Sequence, residues 1–127
     1  MTNYQRGRAF EYRVRNELRG KGYVVIRSAS SKGAADLVAI RKDFQSGVIS
    51  GQPTQIVTHW ILFVQCKLSA AAMPPAEWNA LFKLAEQAEA VPVLAVAGGA
   101  GNKKAYYQLL GEKDGKGGKQ PMRAFDP

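Results

Sequence analysis

Two apolar stretches of the chain carry polar side chains at one end. Asp36 comes directly before residues 37–40, and Gln65 and Lys67 end residues 60–67. If these stretches are neighbouring strands, the sheet holds the three side chains close together. Because side chains alternate along a strand, Gln65 and Lys67 share a face, and the thiol of Cys66 points the other way, into the core. A carboxylate, an amide oxygen and an ammonium group would then surround one small site.

This set of groups suits the hydrolysis of a phosphodiester, which requires a cation to neutralise charge and an oriented water molecule. Mg²⁺ takes oxygen ligands at about 2.1 Å and keeps several waters, so one or two carboxylates are enough to bind it. The side chains of Asp36 and Gln65 and the backbone carbonyl of Cys66 supply three such oxygens. The ammonium group of Lys67 is then left to hold the attacking water.

Glu11 is a fourth polar candidate, on a helix predicted from about residue 3 to residue 21. The apolar stripe of that helix has i, i+4, i+8 spacing and comprises Phe10, Val14 and Leu18. Glu11 lies beside this stripe, where an apolar residue would be expected. It can reach the predicted metal site if the helix packs on the sheet. The alternative is an ordinary ion pair with Arg15, four residues on.

The remaining elements follow from apolar periodicity, small polar turns and proline positions. Strands are predicted at 23–28, 36–41, 59–68, 91–97 and 104–110, with a second helix at 74–89. Residues 42–58 form a hairpin-like excursion, and the glycine-rich 98–102 is a hairpin turn, since it lacks the context of a phosphate-binding loop. This order predicts an α/β fold, in which a central mixed β-sheet is flanked by helices.

Composition sets the outer limits. A chain of 127 residues that is 46% hydrophobic is long enough for one domain, which we place at 1–110, followed by a flexible basic tail at 111–127. Its formal net charge of +8 suits a polyanionic partner such as nucleic acid, although many basic surfaces are only solvated. A single cysteine excludes an internal disulfide. There is no apolar run of 18 residues, so we expect a soluble cytoplasmic protein that does not contact membranes.

These residues together resemble a known family. Glu11 on a first helix, Arg27-Ser-Ala-Ser-Ser-Lys32, Asp36-Leu-Val-Ala, Gln65-Cys-Lys67 and a later Val-Pro-Val-Leu-Ala-Val look like an archaeal-type Holliday junction resolvase. That family lies within the PD-(D/E)xK nuclease superfamily, and the resemblance covers about residues 4–97. It implies a restriction-endonuclease-like fold and a homodimeric endonuclease that depends on Mg²⁺, or on Mn²⁺ in its place. Such an enzyme recognises four-way DNA junctions and resolves them by paired symmetric nicks.

The resemblance also implies roles for individual residues. Glu11, Asp36 and Gln65 would serve the metal, and Lys67 would serve the water. Ser31 and Arg27 would contribute to catalysis or phosphate binding, with Ser30 as a close competitor of Ser31. The predicted DNA-binding residues share a basic or hydroxyl side chain: they are Arg6, Arg8, Arg27, Ser30 and Lys32.

Two features depart from the family pattern. Gln65 stands where the pattern has glutamate, which removes one negative charge, although superfamily relatives with a Gln-x-Lys variant are active nucleases. The excursion at 42–58 is longer than the usual tight hairpin. Two other functions therefore stay open: a nuclease of the same fold that acts on flaps, ends or duplex DNA, and a nucleic-acid-binding protein whose catalytic site has decayed.

Overall fold

The computed structural model describes residues 2–28, 33–111 and 122–127. Helix α1 spans Asn3–Gly20 and begins with a capping box, in which Thr2 Oγ1 accepts from the Gln5 N–H and the Gln5 side chain accepts from the Thr2 N–H. The predicted stripe of Phe10, Val14 and Leu18 is buried, as its spacing indicates. The predicted first helix is therefore confirmed to within one residue at its end.

In the described part of the chain, six strands form one sheet, and their order in space is their order along the chain. The strands are β1 Val24–Arg27, β2 Leu37–Ile49, β3 Gln52–Lys67, β4 Val91–Gly98, β5 Lys104–Leu110 and β6 Met122–Ala124. Only β3 and β4 pair in parallel, and helix α2, Pro75–Gln87, makes the crossover between them. This is the mixed α/β sheet that the sequence predicts, and it is consistent with a restriction-endonuclease-like fold.

Helices α1 and α2 cover opposite faces of the sheet. Along β4, Val93 and Ala95 belong to the core under α1, whereas Leu94 belongs to the core under α2. Alternating side chains of one strand thus enter two apolar cores, which is why β4 reads as an unbroken apolar run. Neither described helix has the length and apolar character needed to cross a membrane.

The excursion at 42–58 is a long two-stranded arm. β1 pairs with β2 only as far as Ile40, and β4 pairs with β3 only from Leu62, so beyond these points β2 and β3 pair with each other alone. Both turn residues, Ser50 and Gly51, have positive φ, as tight hairpins require. Gly51 of the predicted glycine-proline turn lies in the observed turn, whereas Pro53 lies within β3, opposite Val48.

The last residues differ from the predicted flexible tail. β6 pairs with β5, the Phe125 N–H donates to the Tyr107 carbonyl at 2.9 Å, and the Phe125 side chain packs against the core under α1. Residues 122–127 are therefore attached to the sheet, because an apolar segment follows the Gly/Lys-rich one. Residues 112–121 lie outside the described part of the chain, and their flexibility stays a prediction.

Candidate metal and DNA site

Asp36 is fixed against the end of β3 by its backbone and by its side chain. Its N–H donates to the Val64 carbonyl at 2.8 Å, and its Oδ2 accepts a hydrogen bond of 2.8 Å from the Cys66 N–H. Leu37, the next residue, pairs in register with Val64. The predicted pairing of the two apolar stretches thus brings the carboxylate beside Gln65 and Lys67.

One open cavity of about 770 Å³ collects the predicted groups. Its lining includes Glu11, Asp36, Gln65, Cys66 and Lys67, together with Arg8 and Arg27 from the rim. Two elements contribute, because α1 supplies Glu11 and β3 supplies the Gln-x-Lys segment. The roles of these residues in catalysis stay predictions; the structure brings them together around one space.

The Gln-x-Lys segment shows the expected alternation. Gln65 is 9% exposed and lines the cavity. Cys66 instead packs against the core under α1, and burial raises the pKa of its thiol well above the usual value. A protonated core thiol is a poor metal ligand, which leaves the backbone carbonyl as the predicted ligand atom of Cys66.

Glu11 pairs with Arg27, and the alternative pairing with Arg15 is wrong. Arg27 Nε lies 2.6 Å from Glu11 Oε1, and the Glu11 side chain is only 16% exposed. The Arg15 guanidinium instead donates to Asn16 Oδ1. Because Glu11 lies beside the apolar stripe of α1, its carboxylate reaches Arg27 at the end of β1, next to the cavity.

Asp36 is surrounded by competing electrostatic influences. Burial raises its pKa above the usual aspartate value, and the Cys66 N–H opposes this shift. The negative charges of Glu11 and Glu77 raise the pKa further, whereas Lys67 lowers it. A divalent cation in the cavity would offset both the desolvation and the repulsion between carboxylates.

Glu77 is a cavity residue that sequence reasoning missed. It lies in the first turn of α2, and its Oε2 is 3.0 Å from Lys67 Nζ. The signal was the chain order, because the helix that follows β3 in a parallel crossover begins near the end of that strand. An acidic residue in the first turn of α2 can therefore contact the side chains at the end of β3.

The N-terminal part of this site matches a family model. Residues 2–49 match the model described as archaeal Holliday junction resolvase (hjc). Over these residues the chain is Hjc-like. The match holds α1, β1 and β2, and with them Glu11, Arg27 and Asp36, so the resemblance seen in the sequence is confirmed there. Gln65, Lys67 and Glu77 lie after the matched residues, so the structure alone places them at the cavity. A comparison with curated proteins found no match.

A basic rim flanks the cavity of this Hjc-like chain. The guanidinium groups of Arg8, Arg15 and Arg27 lie 5.6, 4.6 and 5.1 Å from the centre of the Tyr12 ring. Arg8 also donates to the Tyr12 hydroxyl at 3.2 Å, and the positive charge around it lowers the pKa of that hydroxyl. Stacking on one ring holds these cations at defined positions beside the cavity. Sequence reasoning missed the role of Tyr12.

The other predicted DNA-binding residues divide into two groups. Arg6 is exposed on α1, on the turn next to the rim. Ser30, Ser31 and Lys32 lie in the segment 29–32, outside the described ranges, so their roles stay predictions. Ser28 and Gly33, which flank that segment, both line the cavity.

The donor set fits a hard divalent cation in part. In the described part of the chain, no three His, Cys, Asp or Glu side chains stand close enough together to hold a metal ion. Asp36, Glu11, the Gln65 amide and the Cys66 carbonyl nevertheless provide oxygen atoms around one cavity. Mg²⁺ keeps several of its waters and needs only one or two carboxylates. These oxygen atoms therefore suit Mg²⁺ better than a metal ion whose ligands all come from the protein.

Proposed function

We propose that this Hjc-like protein is a metal-dependent endonuclease that resolves four-way DNA junctions. The observation that carries the proposal is the cavity at the end of β3, where Asp36, Gln65 and Lys67 converge with Glu11 from α1. The family match supplies the substrate class, and the net charge of +8 suits a polyanion.

Each group has a distinct task in this mechanism. Mg²⁺, when bound by Asp36 with Glu11 and Gln65, neutralises charge that builds on the scissile phosphate. Lys67 has three N–H donors and no acceptor, so it orients the attacking water through that water's lone pairs. Arg27 and Arg8 on the rim hold the phosphates on either side of the scissile bond.

The rim explains how DNA would be positioned. Phosphate contacts by arginine fix a protein on DNA without reading the sequence of bases. A junction is distinguished by the path of its backbones, so a group of arginines held on one ring suits recognition by shape. Cleavage of a four-way junction, a flap and a linear duplex of equal length at the same salt concentration tests this. We expect paired nicks in the junction; equal cleavage of all three would favour a duplex- or flap-acting nuclease of the same fold.

Resolution of a junction needs two cuts, and therefore two active sites related by symmetry. We propose a homodimer joined through the arm formed by β2 and β3. Residues 44–58 contain no Asp, Glu, Lys or Arg, although the chain carries a net charge of +8. Large apolar side chains are exposed there: Phe44, Val48, Ile49, Ile56 and Val57. An uncharged apolar surface on a strongly basic protein suits a second copy better than it suits DNA.

The second candidate is a junction-binding protein without catalysis, and Gln65 is the observation that favours it. The family pattern has glutamate at that position, and an amide carries no charge for a cation. Tight junction binding without metal-dependent cutting, and no gain from Gln65→Glu, would support this reading over the enzymatic one.

A further inference from the structure

The ion pair between Lys67 and Glu77 joins the end of β3 to α2. Lys67 Nζ lies 3.0 Å from Glu77 Oε2, and both residues line the same cavity as Asp36. The Lys67 side chain is 20% exposed and that of Glu77 is 49% exposed. The carboxylate of Glu77 thus stands at the mouth of the cavity, with freedom to turn.

The cavity is short of acidic charge without this residue. Gln65 brings none, and the carboxylate of Glu11 is engaged by Arg27 at 2.6 Å. Asp36 then faces the cations Lys67 and Arg27 almost alone. Binding of a divalent cation gains from each added carboxylate, so a site with one uncommitted acid and two cations is electrostatically weak.

We infer that Glu77 takes the acidic role that Gln65 lacks, and that its carboxylate binds the divalent cation together with Asp36. Gln65 and Lys67 share a face of β3, and both line the cavity that Glu77 also lines, so the Glu77 carboxylate borders the same space as position 65. The inference rests on the proposed function, since it names a further ligand of the same metal site.

The backbone that carries Glu77 is held firmly. Its neighbour Trp78 is fully buried, and the indole Nε1 donates to the Gly111 carbonyl at 2.8 Å. The start of α2 is therefore fixed to the end of β5, and only the side chain of Glu77 has to move. A Glu77 carboxylate turned toward the cation would leave the ammonium group of Lys67 available to the attacking water.

A simpler role has to be distinguished from this one. An acidic residue in the first turn of a helix is stabilised by the helix dipole, and a half-exposed ion pair with lysine is common on protein surfaces. In that case Glu77 would serve only to position Lys67. The two roles differ in what happens to metal affinity when Lys67 is removed.

The test is Mn²⁺ binding to the full chain without DNA, measured by titration calorimetry and by the electron paramagnetic resonance of free Mn²⁺. We expect Glu77→Gln to weaken Mn²⁺ binding about tenfold or more. Glu86→Gln, an exposed change on the same helix, is the matched control and should bind Mn²⁺ as the wild type does. Lys67→Met should bind Mn²⁺ at least as tightly, because it removes a cation and leaves Glu77 free.

Two results would overturn the inference: wild-type Mn²⁺ affinity in Glu77→Gln, or a loss in Lys67→Met as large as that in Glu77→Gln. Gln65→Glu in the Glu77→Gln background gives a second readout, and we expect it to restore affinity to within about threefold of the wild type. If the wild type neither binds Mn²⁺ nor cleaves a junction, the proposed function fails. If the wild type does both and only the Glu77 result is negative, this inference alone fails.

Discussion

The N–H of Cys66 donates a 2.8 Å hydrogen bond to Oδ2 of Asp36, so the carboxylate is fixed to β3, the strand that carries Gln65 and Lys67. Two segments that are separated in sequence by the whole β2–β3 arm are joined by this bond. It places an acid, an amide and an ammonium group at one strand end, and the predictions below follow from that arrangement.

Asp36→Asn should stabilise the metal-free protein at neutral pH. Burial raises the pKa of Asp36 above its unfolded value, so the native state binds the proton more tightly than the unfolded state does. The stabilising contribution of the protonated form is complete below the unfolded pKa and is lost as pH rises through the folded pKa. Asparagine keeps an oxygen that can accept from the Cys66 N–H and never becomes charged.

We therefore expect the thermal midpoint of Asp36→Asn to exceed that of the wild type by a few degrees at pH 7, and the difference to shrink as pH falls to about 4. Thermal unfolding across this range, with a chelator present, measures it. Asp126→Asn, at a carboxylate that is almost fully exposed, is the control and should show no such trend. A lower midpoint for Asp36→Asn at pH 7 would contradict the electrostatic account of this site.

Lys67→Ala should reduce kcat for junction cleavage about 10²–10⁴-fold, because the attacking water loses its oriented partner. Lys83→Ala, at an exposed lysine of α2, is the matched control and should cleave at the wild-type rate. Single-turnover cleavage of a labelled junction gives both rates. Full activity in Lys67→Ala would remove this residue from the mechanism.

Arg27→Ala should weaken junction binding and reduce the slope of log K against log salt concentration by about 1, since one phosphate contact is lost. The ion pair with Glu11 is partly exposed and contributes little to stability, so the variant should stay folded. Arg19→Ala, in the last turn of α1 and away from the cavity, is the comparison. Unequal salt slopes support the rim as the DNA contact, whereas equal slopes for the two variants would argue against it.

Val48→Lys should separate the proposed dimer. Val48 is 72% exposed on the arm, so a lysine there costs the folded monomer little, but it places a charge in the uncharged surface. Val24→Lys, at a similarly exposed valine on β1, should leave the oligomeric state unchanged. Light scattering coupled to size-exclusion chromatography measures the mass of each variant. A wild-type monomer at concentrations that support cleavage would contradict an arm-mediated dimer.

Local patterns were enough to predict much of the fold. The stripe of α1 and the apolar run of β4 need no distant contact to be recognised, and both elements lie where the sequence indicates. The arm was predicted as a hairpin-like excursion without strand bounds, because its exposed residues mix polar and apolar side chains without alternation. Two strands that pair only with each other have no buried face to impose such a pattern.

The part of the site that lies on the two paired strands β2 and β3 was predictable from the sequence. If the two apolar stretches pair as strands, Asp36 has to lie beside Gln65 and Lys67, and the observed register shows this pairing. The partners of Glu11 and Lys67 were not predictable from local spacing, since Arg27 and Glu77 come from other elements and meet them only in the folded chain. Glu77 carries no motif, and only the crossover from β3 to β4 places it at the cavity.

The most direct measurement is single-turnover cleavage of a strand-labelled four-way junction by the wild type and by Asp36→Asn, with Mg²⁺ and with a chelator in its place. We predict paired, symmetric nicks for the wild type with Mg²⁺, and none with the chelator or with Asp36→Asn, although the variant still binds the junction. Cleavage by Asp36→Asn at the wild-type rate, or cleavage that is indifferent to the chelator, would contradict a metal-dependent active site at the end of β3.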